Sequence, residues 1–142
     1  MEGMMNMEHA TVVTNRDFDR LVDLVNAWSA GHAAPLARFL ETVLDRAVVV
    51  TSEQIGPEVV TMNTRLSFRD DNSGQVRTVT VVYPGEEDSA IGRISVLTPV
   101  GSALIGLSAG QSVEWQTLDG RRKRLTVLEI LYQPEAVGRH DD

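Results

Sequence analysis

Three consecutive carboxylates, Glu86, Glu87 and Asp88, form the one cluster in the chain that could hold a cation or serve as acid and base. They follow Pro84 and Gly85, a pair that marks a turn, so the cluster lies in a loop. A short run of like charges in a loop is most often a solvated surface. We therefore expect an acidic surface loop rather than a catalytic or metal site.

The other residues that could do chemistry stand alone. His9, His32 and His140 are far apart, and none has metal-ligand spacing to another His, Asp or Glu. Ser102 lacks the glycine pattern of a nucleophile elbow, and no phosphate-cradling glycine loop is present. There is no cysteine, which excludes disulfides and thiolate catalysis. The residues predict no catalytic residue, metal or cofactor, and indicate a non-enzymatic interaction protein.

Composition and charge argue against nucleic acid and membranes as partners. The chain has 142 residues, 42% of them hydrophobic, which is enough for one medium domain or a small domain with an appendage. Its net charge of -7 argues against autonomous binding of nucleic acid, because that binding depends on neutralising phosphates with Lys and Arg. No apolar run approaches the roughly 20 residues that span a bilayer, and no signal peptide is recognisable. We expect a cytoplasmic protein that does not associate with membranes.

The first third of the chain has helical periodicity. Thr14 and Asp17 resemble a helix cap, and apolar residues then recur at helical spacing as far as Trp28. A glycine-containing turn follows, and Pro35 suits the first turn of a second helix. The pattern predicts an antiparallel αα-hairpin, a short coiled coil, over residues 14–51, after a disordered lead-in over 1–13. Trp28 and His32 mark its tip. Trp28 is either part of the hairpin core, which we favour, or an exposed anchor for a partner.

The period changes to two after a linker near residues 52–58. Strands are predicted at 64–69, 75–83, 94–97, 112–118 and 123–132, with a short helix at 101–107. The basic run 121–124 is interpreted as a charged edge strand that discourages sheet association. Residues 52–142 are therefore expected to form an antiparallel sheet of about five strands around one short helix.

Several stretches resemble a known family. ISVLTP (94–99), SALIG (102–106) and GQSV (110–113) resemble the C-terminal domain of the Gre transcript-cleavage factors, which has an FKBP-like fold. EVVTMNTR (58–65) and LYQPEA (131–136), the first and second Rnk-like stretches, resemble more specifically the Rnk-type regulators of nucleoside diphosphate kinase. These are Gre homologues with a shortened N-terminal hairpin that bind RNA polymerase. The resemblance spans about residues 14–138 and implies an α+β chain, the helical hairpin followed by an FKBP-like sheet domain.

The resemblance also implies a binding surface. In Gre factors the C-terminal domain docks at the rim of the polymerase secondary channel through an acidic loop and a Ser-Pro turn. By position, the RNA polymerase-binding residues of this chain would be Glu87, Asp88, Ser95, Thr98 and Pro99. Thr98 stands where the family has serine.

The hairpin tip departs from the Gre pattern. In Gre factors, acidic residues at the tip of a long coiled coil help to hold a catalytic magnesium ion. The corresponding turn here, residues 28–33, contains no carboxylate, and Mg²⁺ needs carboxylate oxygens. Transcript-cleavage activity is therefore predicted to be absent.

The resulting hypothesis is a polymerase-binding transcription regulator that affects the level of nucleoside diphosphate kinase indirectly. One alternative is a direct protein–protein regulator of nucleoside diphosphate kinase. A less favoured one is an FKBP-type peptidyl-prolyl isomerase, because such enzymes line their pocket with aromatic rings and this chain has only seven. A monomer is expected.

Overall fold

A computed structural model describes residues 5–7, 11–31, 34–117 and 119–139. Within these ranges the chain forms a mixed α+β structure, whose helices and strands are α1 (Asn15–Ala27), α2 (Ala34–Asp45), α3 (Pro99–Leu104), β1 (Met5–Met7), β2 (Thr11–Thr14), β3 (Ala47–Val50), β4 (Arg65–Asp70), β5 (Val76–Val82), β6 (Arg93–Ser95), β7 (Ser112–Gln116) and β8 (Arg122–Tyr132). Short 3₁₀ turns cover Ser89–Ile91 and Glu135–Val137.

The main sheet has six strands in the order β1-β7-β8-β4-β5-β6. The predicted antiparallel strands are present in it as β4, β5, β7 and β8. The remaining predicted strand, β6, pairs with β5 in parallel, so the expectation of a purely antiparallel sheet is wrong at this edge. The chain reaches β6 through the acidic loop instead of a tight hairpin, and this connection allows the parallel direction.

The N-terminal segment corrects a second expectation. Residues 1–13 were expected to be a disordered lead-in, yet β1 pairs with β7, and β2 pairs in parallel with β3 in a separate two-stranded sheet. Both β2 and β3 are rich in β-branched residues, which favour strands. The pairing is invisible in the local pattern because the two helices separate the partners in sequence.

The helices α1 and α2 lie in contact with each other and share one apolar core with the sheet. Thr14 caps α1, its Oγ1 accepting a hydrogen bond from the backbone N–H of Asp17 at 3.0 Å, as predicted. Trp28 closes the C-terminal end of α1 with 41% of its surface exposed, so the favoured core position is wrong. His32 lies outside the described residues. The division at residue 52 stays a prediction, as does the FKBP-like assignment.

The turn between β6 and α3 is the tightest point near the predicted binding residues. Thr98 is the N-cap of α3 and Pro99 its first residue, so the helix begins earlier than the predicted residue 101 and ends at Leu104. A Cβ at position 101 would overlap the backbone oxygen of Ser95 and lie 2.9 Å from the Cα of Val96. Glycine is therefore required at position 101 because α3 packs directly on the backbone of the preceding strand.

This contact makes a prediction about stability. Gly101→Ala should lower the free energy of unfolding by about 3 kcal/mol, because the added methyl meets backbone atoms that cannot move aside. Gly74→Ala is the matched control. That position has a φ of +80° and nothing near its Cβ, so only the conformational cost of about 1 kcal/mol applies. Urea denaturation measures both variants, and equal losses would contradict the packing argument.

Candidate functional site

The acidic loop between β5 and β6 is shaped by its own carboxylates. Glu87 Oε1 accepts a hydrogen bond from the N–H of Gly85 at 2.5 Å, and Asp88 Oδ1 accepts one from the N–H of Ala90 at 3.0 Å. Asp88 and Arg93 also exchange two backbone hydrogen bonds of 2.9 Å. Glu87 and Asp88 remain exposed, so the loop is an ordered acidic surface rather than a pocket.

Ser95, Thr98 and Pro99 lie together at the other end of β6. The hydroxyl of Thr98 donates to the carbonyl of Ser95 at 2.7 Å and accepts from the N–H of Gly101 at 3.0 Å. Ser95 is buried, and its hydroxyl accepts a hydrogen bond from the N–H of Leu97. Pro99 is exposed. Of the three predicted residues, Ser95 and Thr98 hold the turn and Pro99 is the one that a partner can touch.

Pro99 borders a groove that the sequence did not predict. Its volume is about 650 Å³, and it runs between α2, the start of α3 and the β7–β8 hairpin. Phe39 and Trp115 lie in it with ring centroids 6.1 Å apart and a tilt of 37°. Three cationic side chains also line the groove: Arg38 from α2, Arg121 from the turn before β8 and Lys123 from β8. One carboxylate, Asp119, lies among them. The groove is apolar in the middle and mostly basic at the rim, as interfaces commonly are.

The basic run 121–124 thus has a different explanation from the one expected. It lies at the start of β8, which pairs with β7 on one side and β4 on the other, so it is not an edge strand. Its Arg124 forms an ion pair with Asp71 at 3.2 Å, and Arg121 and Lys123 line the groove. The only sequence signal for the groove was this charge run, because Phe39 and Trp115 carry ordinary apolar periodicity.

The two Rnk-like stretches contact each other although they are far apart in sequence. Gln133 Nε2 donates to the carbonyls of Gly56 and Val59, both at 2.8 Å. Thr61 Oγ1 donates to Glu135 Oε1 at 2.7 Å. Hydrogen bonds of Thr61, Gln133 and Glu135 therefore join the segment before β4 to the segment after β8.

A buried carboxylate connects this network to the helices. Asp17 is 3% exposed, and its Oδ2 accepts a hydrogen bond from the N–H of Met62 at 3.1 Å. Burial raises the pKa of Asp17 to about 6; the Met62 hydrogen bond lowers it, and the nearby charge of Glu135 adds to the rise. The sequence showed Asp17 only as a first-turn acid, because its partner belongs to a distant loop.

No group of three or more potential metal-ligating side chains occurs within the described ranges. No helix there is long and apolar enough to cross a membrane.

Sequence comparison assigns the chain to a protein family. The family model described as "Transcription elongation factor, GreA/GreB, C-term" matches residues 55–132, which include the acidic loop and the Thr98–Pro99 turn. The chain belongs to the GreA/GreB family. The resemblance to its Rnk branch is also confirmed. The chain is 39% identical to the "Regulator of nucleoside diphosphate kinase" of Escherichia coli, over 93% of this chain and 97% of that protein.

Two further relatives show the extent of the likeness. The GreA elongation factor of Rhodospirillum rubrum is 35% identical over 83 residues, which are 58% of this chain and 53% of that protein. A solved GreA/GreB structure from Nitrosomonas europaea is 38% identical and matches with a TM-score of 0.67, covering 88% of this chain and all of that one. GreA/GreB family members with these names are regulators or elongation factors.

The raised pKa of Asp17 gives a test of the link between helices and sheet. An acid whose pKa is about 6 when folded and 3.8 when unfolded favours the folded state most below pH 4, and this stability is lost as the pH rises through 6. Relative to Asp17→Asn, the free energy of unfolding of the unmodified protein should fall by about 2 kcal/mol between pH 4 and pH 7.

Asp19→Asn is the control, since Asp19 is exposed on the same helix. At pH 7 its free energy of unfolding should lie within about 0.5 kcal/mol of that of the unmodified protein, as for an ordinary surface substitution. Urea denaturation at several pH values measures all three proteins, and a pH-independent difference for Asp17→Asn would show that Asp17 does not titrate as described.

Proposed function

We propose that this GreA/GreB-family chain is a transcription regulator that binds RNA polymerase at the rim of the secondary channel and does not stimulate transcript cleavage. The observation that carries the proposal is the exposed Pro99, held rigidly by the Ser95–Thr98 turn at the edge of the groove. The family resemblance assigns polymerase contact to this turn, and a rigid exposed residue beside an apolar groove is a suitable anchor for a partner.

The proposed contact surface combines two parts of opposite charge. The acidic loop with Glu87 and Asp88 precedes β6, and Pro99 with its basic-rimmed groove follows it. A partner that covers both ends of β6 must present complementary charges in a fixed order, which selects against other partners. Trp28 adds an exposed apolar residue at the end of α1, which serves as a second contact with the partner.

The absence of cleavage follows from the helical tip. The residues 28–33 contain no carboxylate, so they cannot hold the catalytic magnesium ion that Gre factors position. The helices are also short: at 1.5 Å per residue, the 13 residues of α1 span only about 20 Å. An effect on nucleoside diphosphate kinase, the activity in the name of the Escherichia coli relative, is then exerted indirectly through transcription.

Competition binding tests the docking site. The purified protein should bind core RNA polymerase, and an excess of a Gre factor should displace it. Pro99→Ala should weaken the binding by more than about 1 kcal/mol, as truncation of an interface anchor does. Pro57→Ala, at another exposed proline, is the control and should bind normally. Absence of binding at micromolar concentration, together with direct association with nucleoside diphosphate kinase, would replace this proposal with the direct-regulator alternative.

A cleavage assay tests the second half of the proposal. Backtracked transcription complexes incubated with this protein and Mg²⁺ should release no more cleaved RNA than complexes without it, because the tip lacks a carboxylate to hold the ion. A Gre factor in the same assay is the positive control. In a mixture, this protein should slow the cleavage caused by the Gre factor, and the Pro99→Ala variant should slow it less. Cleavage above background by this protein alone would disprove the proposed lack of activity.

A further inference from the structure

A row of four residues crosses the sheet beside the acidic loop and uses side chains that the proposed docking surface does not. Tyr132 of β8 is paired with Arg65 of β4, Arg65 with Thr80 of β5, and Thr80 with Arg93 of β6. Residues directly opposite each other on neighbouring strands point to the same face. The row is therefore continuous, and it places Arg65 and Arg93 two strands apart, about 10 Å at the backbone.

An irregularity in β8 completes the row. Leu66 pairs with Ile130, but the next pair is Arg65 with Tyr132, so Leu131 is passed over. Without this extra residue, Leu131 would stand opposite Arg65. A bulge of this kind re-aims a side chain and often lies next to a functional site. Here it puts Tyr132, which is 38% exposed, opposite Arg65.

The row forms the floor of an open cavity of about 480 Å³. Its other lining residues are Arg20 from α1, Asn63 from the loop before β4, and Tyr83 and Glu86 from the loop after β5. The guanidinium carbon of Arg20 lies 5.9 Å from the ring centroid of Tyr83, which fixes it against one wall. Three arginines thus face one glutamate in a chain whose net charge is -7.

Two of these arginines lack partners in the described part of the chain. Neither Arg65 nor Arg93 has a side-chain hydrogen bond or ion pair there, whereas Arg69, Arg121, Arg122 and Arg124 all do. Arg93 Nε is buried and unpaired. Burying part of a charged group without a partner costs free energy, so an anion beside Arg93 would stabilise it. Arg65 adds an exposed positive charge to the same cavity.

We infer that this cavity is a binding site for a pyrophosphate group, either as free pyrophosphate or as part of a nucleoside diphosphate. Guanidinium groups bind phosphate oxygens in a bidentate manner. Two arginines that start two strands apart can each take one of two linked phosphates, and Arg20 closes the third side. The cavity has the size of a small-molecule site. The neighbouring acidic loop would repel an acidic protein surface laid across it, while a compact anion can still reach the arginines.

Titration calorimetry with pyrophosphate at low salt tests the site directly. The unmodified protein should bind with a 1:1 ratio, and the affinity should fall as salt is added. Arg65→Gln should weaken binding about tenfold or more, the loss expected for one charged hydrogen-bonded contact. Arg65 is exposed, so the variant should fold normally, which a thermal melt verifies. Arg93→Gln should show a similar loss.

Arg46→Gln is the matched control, because Arg46 is exposed, lines none of the cavities described above and carries the same charge. It should bind like the unmodified protein. Equal losses in Arg46→Gln and Arg65→Gln would mean that only net charge matters and would overturn the inference. A lack of binding at millimolar pyrophosphate would also overturn the inference. If Arg65→Gln then weakened the association with polymerase, the arginines would belong to the polymerase contact instead.

A second titration, with ADP, distinguishes the two sources of the pyrophosphate group. Equal affinity for ADP and pyrophosphate assigns the site to the phosphates alone. Tighter binding of ADP that is lost in Tyr132→Ala assigns it to a nucleotide whose base stacks on the exposed ring. Because this site does not include the proposed polymerase contact, Pro99→Ala should leave both titrations unchanged.

Discussion

The buried carboxylate of Asp17 is the constraint on which the arrangement of helices and sheet depends. It belongs to the first turn of α1 but satisfies the backbone N–H of Met62, at the entrance to β4. The same loop is closed by Thr61 and Thr64, and it reaches the C-terminal 3₁₀ turn through Glu135. The loop before β4 therefore joins the first turn of α1 to the C-terminal 3₁₀ turn. Burying an acid is unfavourable, and the raised pKa of Asp17 records that cost at the point where the helices must be held.

Much of the fold could be predicted because its signals are local. Thr14 and the alternation in β4, β5, β7 and β8 indicate their structures within a few residues. The errors concern pairings between distant segments. The partner of β2 follows two helices, and the parallel pairing of β6 depends on how a loop returns. For the same reason the groove and the arginine row could not be predicted. The fold brings Phe39 close to Trp115, and the sheet register places Arg65 and Arg93 in one row. Neither pair has a signal in the local sequence.

The three-residue strand β6 connects both surfaces of interest. Arg93 begins it and faces the cavity, while Ser95 ends it and holds the turn that carries Pro99. Backbone bonds to Asp88 fix its start, and the close approach of Gly101 fixes its end. Short strands at a sheet edge are common. This one is held at both ends, so the acidic loop, the cavity and the Thr98–Pro99 turn keep fixed relative positions.

The parallel pair of β2 and β3 has a consequence for how this architecture can vary. Thr14 ends β2 and caps α1, and α2 ends only two residues before β3. The pairing of β2 with β3 therefore holds both ends of the segment that contains α1 and α2. Extra turns added to both helices would lengthen the segment between β2 and β3. The entropic cost of closing that segment grows only logarithmically with its length. The length of the two helices can therefore change without a change in the rest of the fold.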